Sequence, residues 1–239
     1  MTRVTTRCGR LALALASLLG LAACHSGTEN PQATPQQGAI QFVHGDHQLS
    51  GSKIQFALDD VSTGELGYGQ SGTYLPFAIG SHTVKMTAGT ITSTGLIRLD
   101  ADKVYSYFAA PAAASGTISS RLATDDLTRP SAGRARIRLI SLLTNAGNGI
   151  ELVQPPASGP TNQHVAYDAD AFNDFTPVNT NLAVVSSTGQ VLAQVGSGTG
   201  TGTGARRYED GHIYTVIAVG DPTAPNADAR PRAYVLTNL

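Results

Sequence analysis

Along the chain the apolar positions fall into three textures. From Leu11 to Leu21 they run almost unbroken, behind Arg3, Arg7 and Arg10 and ahead of the small pair Ala22-Ala23. A basic stretch, a short apolar stretch and small residues at a cleavage point make an export signal. The run is well short of the roughly 20 apolar residues that a spanning helix needs. From His25 to Gly38 there is no large apolar side chain, so nothing offsets the cost of ordering and a flexible tether is predicted. Its 14 residues span about 20 Å on average and roughly 50 Å when stretched. After Gly38 apolar and polar residues alternate in short runs separated by Gly, Ser, Thr, Asn and Asp. Ile40–His44, Ile54–Leu58, Thr83–Met86, Ile97–Leu99 and Val104–Phe108 read as strands with one buried face. No window of a dozen residues there carries a helical stripe; the best one, Ala109 to Ala114, is broken by Pro111. The fold class is all-β.

The pattern also repeats. Ala39-Ile-Gln-Phe-Val lies beside Arg136-Ile-Arg-Leu-Ile, and Lys53-Ile-Gln-Phe-Ala-Leu beside Gly149-Ile-Glu-Leu-Val. Tyr74-Leu-Pro-Phe77 answers Phe172-Asn-Asp-Phe175, and His82-Thr-Val-Lys-Met86 answers Thr180-Asn-Leu-Ala-Val184. The stretch from Leu99 through Tyr105 matches that from Tyr208 through Tyr214. The offset is 96 to 98 and then 109, the growth being one insertion, the glycine-threonine tract Gly196–Gly204. Internal repetition of this kind predicts a duplicated unit. Each copy has about 95 to 105 residues and about seven strands, which suits an Ig-like sandwich. The predicted organisation is a signal peptide over 1–23, a lipidated cysteine and tether over 24–38, and two tandem Ig-like antiparallel β-sandwich modules over 39–128 and 134–239. The joint runs through Thr128-Arg-Pro-Ser-Ala-Gly133, which holds two breakers and no apolar anchor. Two arrangements are open: the copies pack side by side, or a strand near residues 121–127 crosses between them.

Cysteine and charge sharpen the picture. Leu21-Ala22-Ala23-Cys24 resembles the lipobox of bacterial lipoproteins, which implies a lipid on Cys24 and attachment to a membrane through it. The plainer alternative is an ordinary secretory cut beside Ala23. His25 in place of Asp implies the outer membrane if the host is Gram-negative. Cys8 leaves with the signal and Cys24 is acylated, so the predicted mature chain has no disulfide to form. The whole sequence has 16 basic and 17 acidic residues. Removing the first 23 residues takes three Arg and no acid, leaving 13 against 17, a formal −4. A nucleic-acid partner needs a basic face, and none is visible.

Gly211-His-Ile-Tyr-Thr-Val-Ile-Ala-Val-Gly220 resembles the late "YTV-x-A-x-G" strand of a bacterial cell-envelope family, domain of unknown function 4397. Phe42-Val-His44 and Ile54-Gln-Phe-Ala-Leu-Asp59 resemble that family's early strands, written R-x-x-H-x-S-P-D-A-P and V-D-V-Y-V-D-G. The resemblance covers about residues 39–239. It implies β-sandwich modules, often paired, in exported or lipid-anchored proteins with no assigned activity. Gly45-Asp-His47 replaces the Ser-Pro-Asp stretch, Gln55 stands where the family has Asp, and Ser141 falls where the second copy would repeat His44. No family role is therefore carried onto the His-Asp loop.

The remaining motifs are weaker. Gly67-Tyr-Gly69-Gln-Ser-Gly72 fits G-x-G-x-x-G, but Thr73-Tyr-Leu-Pro76 follows it, whereas a dinucleotide site needs a helix there. It reads as a glycine turn. His44 and His47, with Asp46, offer two imidazoles and a carboxylate without a third neutral ligand; a solvated loop is the expectation, with a metal as the alternative. Asp168, Asp170 and Asp174 open like a calcium loop, yet Asn173 and Asn179 stand where an EF-hand needs Gly and Glu. Asp170 and Asp174 are expected in turns, with a non-EF calcium site between sheet edges as the alternative, and Phe172 is expected as a core anchor. Neither G-x-S-x-G nor G-x-x-x-x-G-K occurs, and His82 and His212 are expected half-exposed. The glycine-threonine tract reads as a lengthened hairpin loop. The predicted function is a non-catalytic structural or protein-interaction module of the bacterial envelope, without catalytic residues or cofactor, whose partner is an envelope protein or polysaccharide. The alternative is a glycan- or calcium-binding surface module, with Tyr68, Tyr74 and Tyr167 as candidate stacking platforms. A hydrolase is the distant third.

Overall fold

A computed structural model describes residues 36–238 apart from 115, 156–162, 169–170 and 196–204. The export signal, Cys24, nearly all of the tether, Asp170 and the glycine-threonine tract lie outside the described residues. Strands β1 (Gln37–His44), β2 (Ile54–Leu58), β3 (Val61–Leu66), β4 (Leu75–Ala78), β5 (Gly80–Ala88), β6 (Ile91–Leu99), β7 (Val104–Pro111) and β8 (Ile118–Asp125) build the first half. They form two sheets, ordered β4-β1-β7-β8 and β3-β2-β5-β6. The second half uses β9 (Ala135–Leu143), β10 (Glu151–Gln154), β11 (Gln163–Tyr167), β12 (Asn173–Phe175), β13 (Asn179–Thr180), β14 (Leu182–Val185), β15 (Val191–Val195), β16 (Arg206–Arg207), β17 (Ile213–Gly220) and β18 (Arg232–Thr237). Its sheets run β12-β9-β17-β18 and β11-β10-β14-β15, with a small β13-β16 ribbon. Strand for strand, the second order repeats the first. Among the described strands pairing is antiparallel except for β1 with β7 and β9 with β17, one parallel strand pair per half.

Each half has the core its alternation predicts. Ile40 and Phe42 of β1, Phe56 and Leu58 of β2, Val84 and Met86 of β5 and Tyr105 and Tyr107 of β7 meet between the first two sheets. Ile137 and Leu139, Leu152, Leu182 and Val184, Tyr214 and Val216 do the same in the second half. A tyrosine clasps a corner in both. Tyr105 Oη accepts the Asp100 N–H at 3.2 Å, and Tyr214 Oη accepts the Glu209 N–H at 2.9 Å. Such a back-reaching tyrosine is a feature of Ig-like sandwiches. Pro111 ends β7 rather than breaking a helix.

The period-2 rule fails in β7 and β17, where nearly every residue is buried. Strands read as unbroken apolar runs when both faces are covered. The second cover here is the other half of the molecule. Val43, Phe108, Ala110 and Ala123 face Ile140, Leu142, Ile217 and Val219 in a third core. The sheets containing β7 and β17 therefore stack back to back, and residues 35–239 form one compact unit. β8 pairs with β7 along its whole length, so residues 118–125 stay in the sheet of the first half. Backbone approaches closely at this seam. A Cβ on Gly45 would strike Leu142 Cδ1, and one on Gly69 would sit 2.5 Å from the Tyr234 ring.

Candidate functional site

Two places concentrate polar chemistry: the seam and one rim of the second half. At the seam, β1, β7 and β8 bring Gln41, Ser106 and Asp125 into line, and β9 and β17 bring Arg138 and Thr215 opposite. Gln41 Nε2 donates to Ser106 Oγ at 2.7 Å and to Tyr74 Oη at 2.8 Å. Ser106 Oγ and Tyr74 Oη both donate to Asp125 Oδ2 at 2.6 Å. Arg138 Nη2 pairs with Asp125 Oδ1, and both side chains are fully buried. The guanidinium also donates to Thr215 Oγ1 at 3.1 Å and Thr124 O at 3.0 Å, and lies over the Phe172 ring. Removing either partner of such a buried pair costs about 3–5 kcal/mol, because the other charge is left stranded. Sequence reasoning missed this network. The available signal was a charged residue at Arg138 inside the apolar run Ile137–Leu143.

Two of the calcium candidates, Asp168 and Asp174, are held by arginines. Asp168 Oδ1 accepts from Arg121 Nη1 at 2.9 Å and from Ser141 N at 2.8 Å. Asp174 Oδ1 accepts from Arg136 Nε at 2.8 Å, and Asp174 sits in β12 rather than in a turn. Arg136 also holds Asp126 at 2.9 Å. The two carboxylates are thus spent on different arginines and do not converge. Among the described residues no three His, Cys, Asp or Glu side chains gather as a metal site would require.

The His-Asp loop is not solvated. His44 and Asp46 are 0% exposed and His47 7%, because this loop tucks against Leu142 and Val219 of the other half. His44 Nδ1 accepts the Asp46 N–H and Nε2 faces Ser52 O, each at 3.3 Å, so both ring nitrogens are occupied. Asp46 Oδ1 accepts the Gln48 N–H at 2.9 Å, while Asp46 Oδ2 and His47 Nδ1 have no partner. Burial lowers the pKa of both imidazoles and raises that of Asp46. His82, expected half-exposed, is buried instead, with Nδ1 2.6 Å from Asp59 Oδ2 and Nε2 2.8 Å from Ala78 O. His212 Nδ1 faces Asp210 O at 3.1 Å. The rings of His44, His82 and His212 thus meet backbone or carboxylate groups. The G-x-G-x-x-G stretch is a turn: Gln70 N donates to Gly67 O at 3.0 Å.

The rim lies where β12 gives way to β13. Three adjoining depressions meet at Val178. One of about 580 Å³ runs along Pro177, Asn179, Arg207, Glu209, Asp210 and His212. Another of about 610 Å³ is lined by Gln154, Pro155, Thr180, Asn181 and Ala205. A third of about 280 Å³ is lined by Arg134, His164, Asp174 and Thr176. Tyr208, almost wholly buried beneath the first, has an unpartnered hydroxyl, and burial raises its pKa. The rim owes its shape to an interrupted strand pair. Leu182 pairs with Val195 and Thr180 with Arg206, and the glycine-threonine tract between Val195 and Arg206 lies outside the described residues. In the first half Thr83, which answers Asn181 in the repeat, stands opposite Leu96, exposed at 83%.

Fold and polar geometry together define an all-β protein of stacked sandwiches. Residues 33–148 match the model of the family described as "Domain of unknown function (DUF4397)", and over that span the chain is similar to it. The span takes in the whole first half and β9, the strand that carries Arg136 and Arg138. The comparison with curated proteins gave no match. Among solved structures the chain is similar to the Bacillus anthracis TIE protein at 8% identity, over 77% of this chain and 34% of that one, with TM-score 0.23. It is similar to a leucine-rich repeat protein from Bacteroides thetaiotaomicron at 12% identity, over 78% of this chain and 26% of that one, with TM-score 0.21. The chain thus spans about a third of the length of one and about a quarter of the other, and likenesses so slight bear on neither fold nor function.

Proposed function

We propose that this chain is a lipid-anchored extracytoplasmic protein of the bacterial envelope, attached through Cys24, whose two sandwiches act as one rigid, non-catalytic interaction block. The observation that carries the reading is the seam. Its third core joins the two halves, and its arginines engage Asp168 and Asp174, which supports a structural use of those carboxylates. The surface assigned to a partner is the rim at Val178, with an apolar centre and hydrogen-bonding groups of both signs around it. That mixture suits an envelope protein better than a glycan. The rings of Tyr105, Tyr107, Tyr208 and Tyr214 are buried in the cores, and those of Tyr68 and Tyr234 pack on each other at the seam, so none of them is a flat exposed platform.

Two measurements test this. Cells fed an alkyne fatty acid should label the wild-type chain and not Cys24→Ser, and the variant should leave the membrane fraction; equal labelling sinks the anchor. A photo-crosslinking residue at Val178 should trap a discrete envelope protein that the same probe at Leu96 does not. Identical adducts from both positions remove the rim from the reading.

A further inference from the structure

The two faces that meet at the seam are versions of one face. Pairing registers give the correspondence. Gln41 stands beside Ser106 as Arg138 stands beside Thr215, and Val43 beside Phe108 as Ile140 beside Ile217. Ser106 pairs with Ala123 as Thr215 pairs with Leu236. Two residues on, Asp125 lies opposite Val104, and Asn238 N donates to Ile213 O at the matching point. The hydrogen bonds repeat as well. Ser106 Oγ donates to Asp125, and Thr215 Oγ1 donates to Asn238 Oδ1 at 2.8 Å. Gln41 reaches Tyr74, and Arg138 lies 4.5 Å from the centre of the ring of Phe172, the residue that answers Tyr74 in the repeat. Across the seam Arg138 meets Asp125, and at the mirror position Gln41 and Asn238 meet by sharing the Tyr74 hydroxyl, Asn238 Nδ2 donating to it at 2.9 Å. This is the pattern of a two-fold, self-complementary interface.

Two of the corresponding positions differ in charge: Gln41 against Arg138, and Asp125 against Asn238. We infer that this pair of differences is a partner code, by which the outer sheet of the first half accepts that of the second half and rejects its own counterpart on another copy of the chain. Placed face to face, two first-half sheets would bury two Asp125 carboxylates, each opposite a Gln41 amide. Two second-half sheets would bury two Arg138 guanidinium groups, each opposite an Asn238. Either arrangement strands buried charge, and only the mixed pairing neutralises it. The apolar members (Val43, Phe108, Ile140, Ile217) carry no such distinction, so the seam without its charges would be indifferent. For chains crowded side by side on a membrane, the code keeps each one folded on itself.

The test uses full-length chains with distinguishable mass tags, solubilised in detergent and weighed by native mass spectrometry. Asp125→Arg sets two guanidinium groups against each other within one chain, and Arg138→Asp sets two carboxylates. Exchanged between the two variants, both contacts become opposite-charge pairs: one native, one reversed. Co-expression should therefore give a heterodimer with one copy of each, absent when either variant is made alone. The variant carrying both substitutions in one chain should be a monomer with a cooperative melt. Monomers or aggregates in place of the heterodimer, while that doubly substituted chain folds, overturn the inference. Failure of the doubly substituted chain to fold overturns it too, because charge sign would then not be what decides the pairing.

Discussion

Asp46 is a carboxylate that the fold has enclosed without compensating it fully. One oxygen caps the turn at His47–Leu49 and the other meets nothing. Burial raises its pKa above the 3.8 of an exposed aspartate, so the folded chain holds that proton to higher pH than the unfolded chain does. As pH rises through the folded value, stability is lost, and it stays lost at neutral pH. Asp46→Asn keeps the cap and removes the charge. It should gain about 1 kcal/mol at neutral pH, with the two melting curves converging in acid. The neighbouring imidazoles work in the opposite direction. Burial lowers His44 and His47 below 6.5, so the unfolded chain takes up protons first as pH falls past that value. Wild-type melting temperature should drop from pH 7.5 to pH 5.5 on their account, and His47→Gln should shrink the drop. A variant with an unchanged slope would show that His47 is not desolvated as described.

Among the elements, β7 and β17 carry the most weight because each serves two cores at once. Phe108 projects from β7 into the seam and is fully buried. Truncating it to Ala should cost about 3–5 kcal/mol, read by chemical denaturation. Leu96→Thr, on an exposed strand position, should stay within about 0.5 kcal/mol of wild type. Gly45 follows β1, the strand paired with β7. Any side chain there collides with Leu142, so Gly45→Val should loosen the seam while leaving both flanking cores intact. Hydrogen exchange localised to β1, β7, β9 and β17 would report it.

For the whole molecule the shared third core predicts one cooperative unfolding transition. Tandem sandwiches joined only by a linker would show two. Arg138→Ala leaves Asp125 buried and unpaired, and calorimetry should then resolve two transitions from a chain that otherwise gives one. A single broad transition at lower temperature would mean that the halves have no independent stability, and that the cores between sheets depend on the seam.

Strand positions were legible wherever one face is wet and the other dry: β2 and β5 alternate as plainly in the sequence as in the fold. Repetition was readable because equivalent strands need the same pattern of apolar residues to fill equivalent cores. Burial of the His44–His47 loop was not legible, since a polar loop is enclosed only if something lies above it, and what lies above it is a strand about a hundred residues away. Asp168 and Asp174 looked like cation ligands because spacing along a chain does not say which arginine will arrive in space. By itself, then, the sequence determined the β class, the strand faces and the doubled plan, all consequences of local periodicity. Only the tertiary structure decided that the two halves fuse through a charged seam, because that outcome rests on which surfaces meet, and contact between distant strands is not encoded in the spacing of neighbours.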